Sequence, residues 1–107
     1  MYLTVAQTAA FRNAAEAIWS EEELDAFVNW IALNPLAGDV IPGSGGLRKL
    51  RWAAGGRGKR GGTRVIYYNV LASGTLWLLI AYTKSKFDNL PASFLKELKH
   101  AVEKEGD

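Results

Sequence analysis

The side chains with the clearest chemical potential are cations on predicted strands. Residues two apart on a strand share a face, so Lys49 and Arg51 project together, and Tyr82 and Lys84 do so at the end of a later strand. Arg64 begins the strand between them. If these faces coincide, four cations and a phenol converge on one patch of a sheet. The alternative is a solvated polar edge on which Tyr82 only packs.

Cations and a phenol can cleave RNA without a metal ion. The 2′-OH attacks the adjacent phosphorus while a base takes its proton, fixed cations stabilise the added negative charge, and an acid protonates the departing 5′-oxygen. This chemistry needs RNA because DNA lacks the 2′-OH. No acidic residue lies between Asp39 and Asp88, so we expect the patch to lack a carboxylate and to hold no metal ion.

A basic, glycine-rich segment joins two of the predicted strands. Residues 55–62 hold Arg57, Lys59 and Arg60 among five glycines. The glycine spacing matches a dinucleotide fingerprint, but a strand follows it, whereas that fingerprint and the P-loop both require a helix. The segment therefore predicts a cationic hairpin loop that grips a phosphate backbone, or else a solvated tip with no specific role.

One aromatic residue is placed to stack on a base. Trp52 follows Arg51 directly and is the best candidate for such a platform. Aromatic residues at strand and helix spacing belong more often to the core, so core packing is the alternative for Trp52.

Length and composition limit the kinds of protein this chain can be. With 107 residues, 49% of them apolar, we expect one folded domain over residues 1–107. The absence of cysteine excludes disulfides, thiolate zinc sites and a cysteine nucleophile, and a single histidine excludes an all-histidine metal site. The longest apolar run, residues 76–82, is too short to span a bilayer, so we expect a cytoplasmic protein with no membrane association.

The charge is distributed very unevenly along the chain. The formal net charge is +2, but residues 1–39 carry −5, residues 40–87 carry +9 without one acid, and residues 88–107 carry −2. A concentrated cationic block is typical of proteins that bind polyanions. Nucleic acid is therefore the leading class of partner.

The first third of the chain predicts a short strand and two helices. Residues 2–5 alternate and favour a strand, after which Thr8 can cap a helix over residues 9–19. Ser20 and Glu23 form a capping box for a second helix, which Asn34 before a proline should end.

The remaining chain predicts three strands and a helix. The strands cover residues 47–53, 64–71 and 75–83, with a tight turn at 72–74 and the last strand buried on both faces. A final helix would be capped by Asp88 or Asn89. The predicted fold class is α+β, an antiparallel sheet meander with two N-terminal helices and a C-terminal helix.

An ordered set of motifs resembles one protein family, the RelE/HigB toxins of bacterial type II toxin-antitoxin systems, and most closely its HigB branch. The resemblance covers about residues 20 to 100 and includes residues 34–41. Its motifs are Gly45-Gly46-Leu47-Arg48-Lys49-Leu50-Arg51, Gly58-Lys59-Arg60-Gly61-Gly62, Arg64-Val65-Ile66-Tyr67-Tyr68 and Tyr82-Thr83-Lys84. It implies a RelE-like microbial ribonuclease fold.

The resemblance also implies an activity and its partners. It implies an mRNA interferase, an endoribonuclease that cleaves translated mRNA in the ribosomal A site without a metal ion or other cofactor. It further implies a cognate antitoxin protein, encoded beside the toxin, that inhibits it.

The family's catalytic groups lie on the central strands, which implies roles for matching residues here. Arg51 and Arg64 would stabilise the phosphate and transition state, Tyr82 and Lys84 would transfer protons, and Lys49 would orient the substrate. The residues that would hold messenger or ribosomal RNA are Arg48, Arg57, Lys59 and Arg60.

Two other functions fit the same residues. A noncatalytic nucleic-acid-binding module could use the same basic sheet and loop. A degenerate toxin could still bind its antitoxin but no longer cut RNA.

Overall fold

The computed structural model describes residues 4–52, 62–70, 72–84 and 87–105. The strands there are β1 (Thr4–Gln7), β2 (Asp39–Val40), β3 (Arg48–Trp52), β4 (Thr63–Val70) and β5 (Thr75–Tyr82). The helices are α1 (Ala9–Ile18), α2 (Glu21–Leu33) and α3 (Ala92–Glu105).

The first two helices begin and end at the predicted signals. The Thr8 hydroxyl accepts a hydrogen bond from the Phe11 amide at 3.1 Å, which caps α1. Ser20 and Glu23 form both arms of the capping box, at 2.9 and 3.2 Å. Asn34 is the C-cap of α2, as expected for a residue that precedes proline.

The five strands form one mixed sheet in the order β1-β5-β4-β3-β2. The antiparallel meander β3-β4-β5 and the turn before β5 confirm the prediction. Two features differ from it: β1 extends to Gln7 and pairs parallel with β5, and β2 adds an unpredicted edge strand beside β3. Residues 2 and 3 of the predicted first strand lie outside the described residues. The fold is therefore α+β, as predicted.

Helices cover both faces of the sheet. On one face, α1 and α2 bury Phe11 and Phe27 against Tyr67 of β4. On the other face, α3 buries Leu95 against Ile66. Strand β5, which lies between β1 and β4, is therefore covered on both sides, as its apolar sequence predicts.

A β-bulge changes the facing of the last residues of β5. Ile66 is paired with Ile80, but Tyr67 is paired with Leu78, so Leu79 is the extra residue. Leu78 packs with the α1–α2 core, whereas Ile80 and Tyr82 pack on the α3 side. Without the bulge, simple alternation from Leu78 would place Tyr82 under α1 and α2.

The buried hydroxyl of Tyr67 forms hydrogen bonds that hold the loop after α2 against the sheet. The Tyr67 hydroxyl accepts a hydrogen bond from the Gly38 amide at 2.8 Å and donates one to the Pro35 carbonyl at 2.9 Å. A Cβ atom at Gly38 would lie 2.8 Å from the Tyr67 ring, so the close approach requires glycine. Burial raises the pKa of Tyr67 above its ordinary value of 10.0.

Tyr67→Phe is expected to lower the free energy of unfolding by about 2 kcal/mol at neutral pH, because the buried Gly38 amide loses its acceptor. The protonated phenol contributes stability that is present below pH 10.0 and lost as the pH rises through the raised pKa. The difference in free energy of unfolding between wild type and variant should therefore become smaller in alkaline solution. Urea denaturation over this pH range measures it, with Tyr68→Phe as the matched hydroxyl deletion. Equal losses from both variants would contradict the expectation.

No helix in the described ranges has the length and apolar character needed to cross a membrane.

Candidate active site

Three of the predicted site residues form one row across the sheet. Arg51 of β3 is paired with Arg64 of β4, and Arg64 is paired with Tyr82 of β5. Directly paired residues of antiparallel strands project to the same face. Lys49, two residues before Arg51, shares that face, which is the one that α3 covers. The structure thus brings together four of the five residues expected to be catalytic.

The Arg64 side chain is buried and makes contacts with three residues. Only 3% of the residue is exposed. Its Nη1 donates to the carbonyls of Thr83 at 3.1 Å and Gly62 at 3.4 Å. Its Nη2 donates to Asp88 Oδ2 at 3.4 Å, and its Nε lies 3.2 Å from Asp88 Oδ1. The guanidinium is therefore fixed by the residue before β4, the residue after β5 and the loop before α3.

Asp88 corrects two expectations. The patch was expected to lack a carboxylate, and this is wrong because the Asp88 side chain forms the ion pair with Arg64. Asp88 was also a candidate helix cap, but α3 begins only at Ala92, and the Pro91 carbonyl accepts the amides of Phe94 and Leu95. The carboxylate therefore neutralises a buried arginine instead of capping the helix.

Tyr82 lies beside this ion pair. Its hydroxyl oxygen is buried near the Asp88 side chain and makes no hydrogen bond of good geometry within the described residues. Burial, followed by the negative charge of Asp88, raises the pKa of Tyr82 to about 12, although Arg64 opposes the shift. The phenol consequently stays protonated at neutral pH, so it can donate a proton but is a poor base.

A cavity opens between the Arg64–Asp88 pair and the edge of the sheet, and Tyr82 does not line it. Its volume is about 430 Å³, within the range of small-ligand sites. Lys49 Nζ lies at one side and donates to the Asp88 carbonyl at 3.3 Å. The lining residues are Ala37, Asp39, Lys49, Leu50, Arg51, Arg64 and Asp88.

Arg51 is the accessible arginine of the row. Its side chain is exposed and makes no ion pair or hydrogen bond with the described part of the chain. Lys84 is exposed too, two residues beyond the end of β5, and it does not line the cavity. Arg51 is therefore the cation that an entering anion can contact most directly.

Two residues expected to bind RNA lie on the opposite face of the sheet. Trp52 packs against Trp30 and Phe27, with ring centroids 4.9 and 5.3 Å away. Arg48 Nη1 donates to the carbonyls of Gly38 at 2.6 Å and Leu36 at 3.4 Å. Trp52 is thus a core residue, which was the alternative interpretation, and Arg48 holds the loop after α2.

The remaining basic residues lie outside the described ranges. Arg57, Lys59 and Arg60 belong to residues 53–61, so their expected grip on RNA stays a prediction. Within the described residues no group of three or more His, Asp or Glu side chains lies close enough to hold a metal ion.

Asp39 and Asp88 are members of the site that the sequence did not predict. Asp39 reaches it because β2 pairs with β3 and places Asp39 opposite Lys49. Asp88 reaches it from the segment before α3, where its carboxylate contacts Arg64. No local motif marks either residue, because both contacts depend on distant parts of the chain.

Arg64→Ala is expected to destabilise the protein by about 3 kcal/mol, because it leaves the Asp88 carboxylate without its cation. Adding Asp88→Ala should recover part of the loss, because the unpaired charge is then absent. Chemical denaturation of the two single variants and the double variant measures this coupling. Strictly additive losses would mean that the pair contributes nothing.

Comparison with solved structures identifies the fold. The chain is similar to the RelE toxin of E. coli, solved as an arginine-to-alanine double mutant in the free state. The TM-score is 0.61 at 12% sequence identity, and the alignment covers 98% of each chain. No protein-family model matches the sequence. At this identity the similarity establishes a RelE-like fold and nothing finer.

Proposed function

We propose that this RelE-like domain is the toxin of a toxin-antitoxin pair, and that it cleaves translated mRNA in the ribosomal A site without a metal ion. The observation that carries the proposal is the row of Arg51, Arg64 and Tyr82, which ends at a cavity lined by both arginines. This row combines anion stabilisation with proton donation on one face.

The scissile phosphate would enter the cavity beside Arg51 and Lys49. Arg51 is exposed and can form paired hydrogen bonds to phosphate oxygens. Lys49 lies two residues away on the same face and would orient the neighbouring backbone. Arg64 would add positive charge from behind, where it does not have to reorganise as the phosphorane forms.

Proton transfer would use groups on either side of the phosphate. Tyr82 keeps its proton at neutral pH because its pKa is raised to about 12, which suits protonation of the departing 5′-oxygen. Asp39 lines the cavity and is the carboxylate there that would accept a proton, whereas Asp88 is ion-paired with Arg64. Lys84 is exposed beyond β5 and would assist from the rim.

The wider contacts follow from the charge of the middle of the chain. Arg57, Lys59 and Arg60 would hold ribosomal or messenger RNA. We place the protein in the cytoplasm, where the ribosomes are. Within the family we place it closest to the HigB branch. A cognate antitoxin with an acidic surface would inhibit it by competing with RNA for this charge.

Inducible expression in bacteria tests the proposal. Wild type is compared with the double variant Arg51→Ala/Tyr82→Phe, which leaves the buried Arg64–Asp88 pair in place. The expected result is growth arrest with new mRNA ends confined to translated codons, both lost in the variant. Normal growth and intact mRNA with soluble, folded wild-type protein would refute it.

That negative result would favour the two other functions. Gradual loss of RNA affinity with each cation removed would identify a noncatalytic binding module. Retained antitoxin binding without RNA binding would identify a degenerate toxin.

A further inference from the structure

Asp88 lies where three strands bring their polar groups together. Its carboxylate contacts Arg64 of β4 at 3.2 and 3.4 Å, and its carbonyl accepts a hydrogen bond from Lys49 of β3 at 3.3 Å. Tyr82 of β5 is the cross-strand partner of Arg64 and is close enough for the charge of Asp88 to act on it. One loop residue thus contacts or influences the functional groups of all three strands.

We infer that Asp88 is a positioning residue: its carboxylate holds the Arg64 guanidinium in a single orientation behind the substrate phosphate and places a negative charge beside the Tyr82 hydroxyl. This inference rests on the proposed ribonuclease function. It assigns a role to a residue that neither the charge pattern nor the strand pattern indicates.

The charges of the two paired arginines require a nearby carboxylate. Arg51 and Arg64 are directly paired across β3 and β4, and like charges at such positions repel each other. Arg64 is also almost fully buried, which is costly for an unpaired charge. Asp88 supplies the opposite charge to Arg64, so that Arg51 stays available to a ligand.

Several buried polar atoms around Asp88 lack a hydrogen bond of good geometry in the described part of the chain. Arg64 Nε, Asp88 Oδ1 and the Tyr82 hydroxyl are all buried, and each lacks a hydrogen bond of good geometry within the described residues. Buried polar atoms without partners are costly and are concentrated at functional sites. A phosphate oxygen in the cavity would supply an acceptor for Arg64, which lines the cavity together with Asp88.

Asp88 also affects the pKa of the Tyr82 hydroxyl. The groups that act on this phenol are Asp88, from the loop before α3, and Arg64, from β4. Asp88 raises the pKa of Tyr82 and Arg64 lowers it. Removing the carboxylate charge therefore lowers the pKa of Tyr82, which alters the proton donor although the phenol itself is unchanged.

Single-turnover cleavage of mRNA on programmed ribosomes tests this role, using wild type, Asp88→Asn, Asp88→Glu and Glu97→Gln. Asp88→Asn is expected to lower the maximal rate by on the order of tenfold to a hundredfold with the half-saturating concentration almost unchanged, because it disturbs orientation rather than binding. Asp88→Glu keeps the charge and should recover much of that rate. Glu97→Gln removes one exposed carboxylate of α3 and should match wild type.

A spectroscopic measurement separates positioning from a merely structural role. Tyrosinate absorbance is titrated in wild type and in Asp88→Asn, each as a difference against the same protein carrying Tyr82→Phe. The Tyr82 transition should move to lower pH in Asp88→Asn, while thermal unfolding at neutral pH confirms that both proteins are folded.

Each remaining outcome overturns a specific claim. Faster cleavage by Asp88→Asn would mean that Asp88 only obstructs the phosphate, and unchanged cleavage would mean that it positions nothing. An unmoved Tyr82 transition would mean that the Asp88 charge does not act on Tyr82. If folded wild type cuts no mRNA, the proposed function fails, and this role fails with it.

Discussion

Arg51→Ala is expected to slow RNA cleavage by a hundredfold or more while the fold and its stability remain those of the wild type. The side chain is exposed and makes no bond that the described fold depends on, so its removal should change stability by no more than about 0.5 kcal/mol. Its loss removes the accessible guanidinium that stabilises the developing phosphorane charge. Single-turnover cleavage on programmed ribosomes, at saturating toxin, measures the effect.

A second arginine-to-alanine variant shows whether the loss of cleavage is specific to position 51. Arg12→Ala removes an exposed arginine from α1, on the other face of the sheet, and should leave cleavage unchanged. If both variants weaken ribosome binding equally and leave the maximal rate unaltered, Arg51 contributes only to general attraction of RNA. That result would favour a binding module.

Tyr82→Phe is expected to lower the maximal cleavage rate by a factor of about 100 to 10,000, the usual contribution of a positioned general acid. The ring packing against Phe87 is retained because only the hydroxyl is removed. The wild-type phenol stays protonated up to a pH of about 12, so no loss of activity from its ionisation is expected in the neutral range.

A substrate with a better leaving group identifies the step that Tyr82 serves. In mRNA with sulfur in place of the bridging 5′-oxygen, the departing thiolate needs no proton, so Tyr82→Phe should cleave it nearly as fast as wild type. Arg51→Ala should stay slow on the same substrate, because charge on the phosphorane still needs stabilising. If Tyr82→Phe is equally impaired on both substrates, Tyr82 is not the acid.

The structure divides the two arginines between different tasks. The sequence presents Arg51 and Arg64 as equivalent cations on neighbouring strands. In the fold Arg51 is exposed, whereas Arg64 is buried and bound to Asp88. A loss of activity in Arg64→Ala would therefore mix catalysis with stability, and Arg51→Ala is the cleaner probe of the chemistry.

The sequence alone determined those features that depend on local interactions. Thr8 and the pair of Ser20 and Glu23 predict helix starts because a hydroxyl or carboxylate satisfies backbone amides within one turn. The three central strands follow from runs of β-branched and aromatic residues separated by glycine-rich turns. Residue types also indicated the row of Arg51, Arg64 and Tyr82, because consecutive antiparallel strands place their neighbouring ends together.

Only the tertiary structure decided which face Tyr82 occupies and which carboxylates join it. The bulge at Leu79 reverses the alternation of β5 and turns Tyr82 toward Arg64, and nothing in the apolar run from Leu76 onward marks that position. Asp88 and Asp39 reach the cavity through a loop and an edge strand whose paths depend on packing. Local propensity acts over a few residues, whereas a bulge, an edge pairing and a loop path are chosen by the free energy of the whole packed chain.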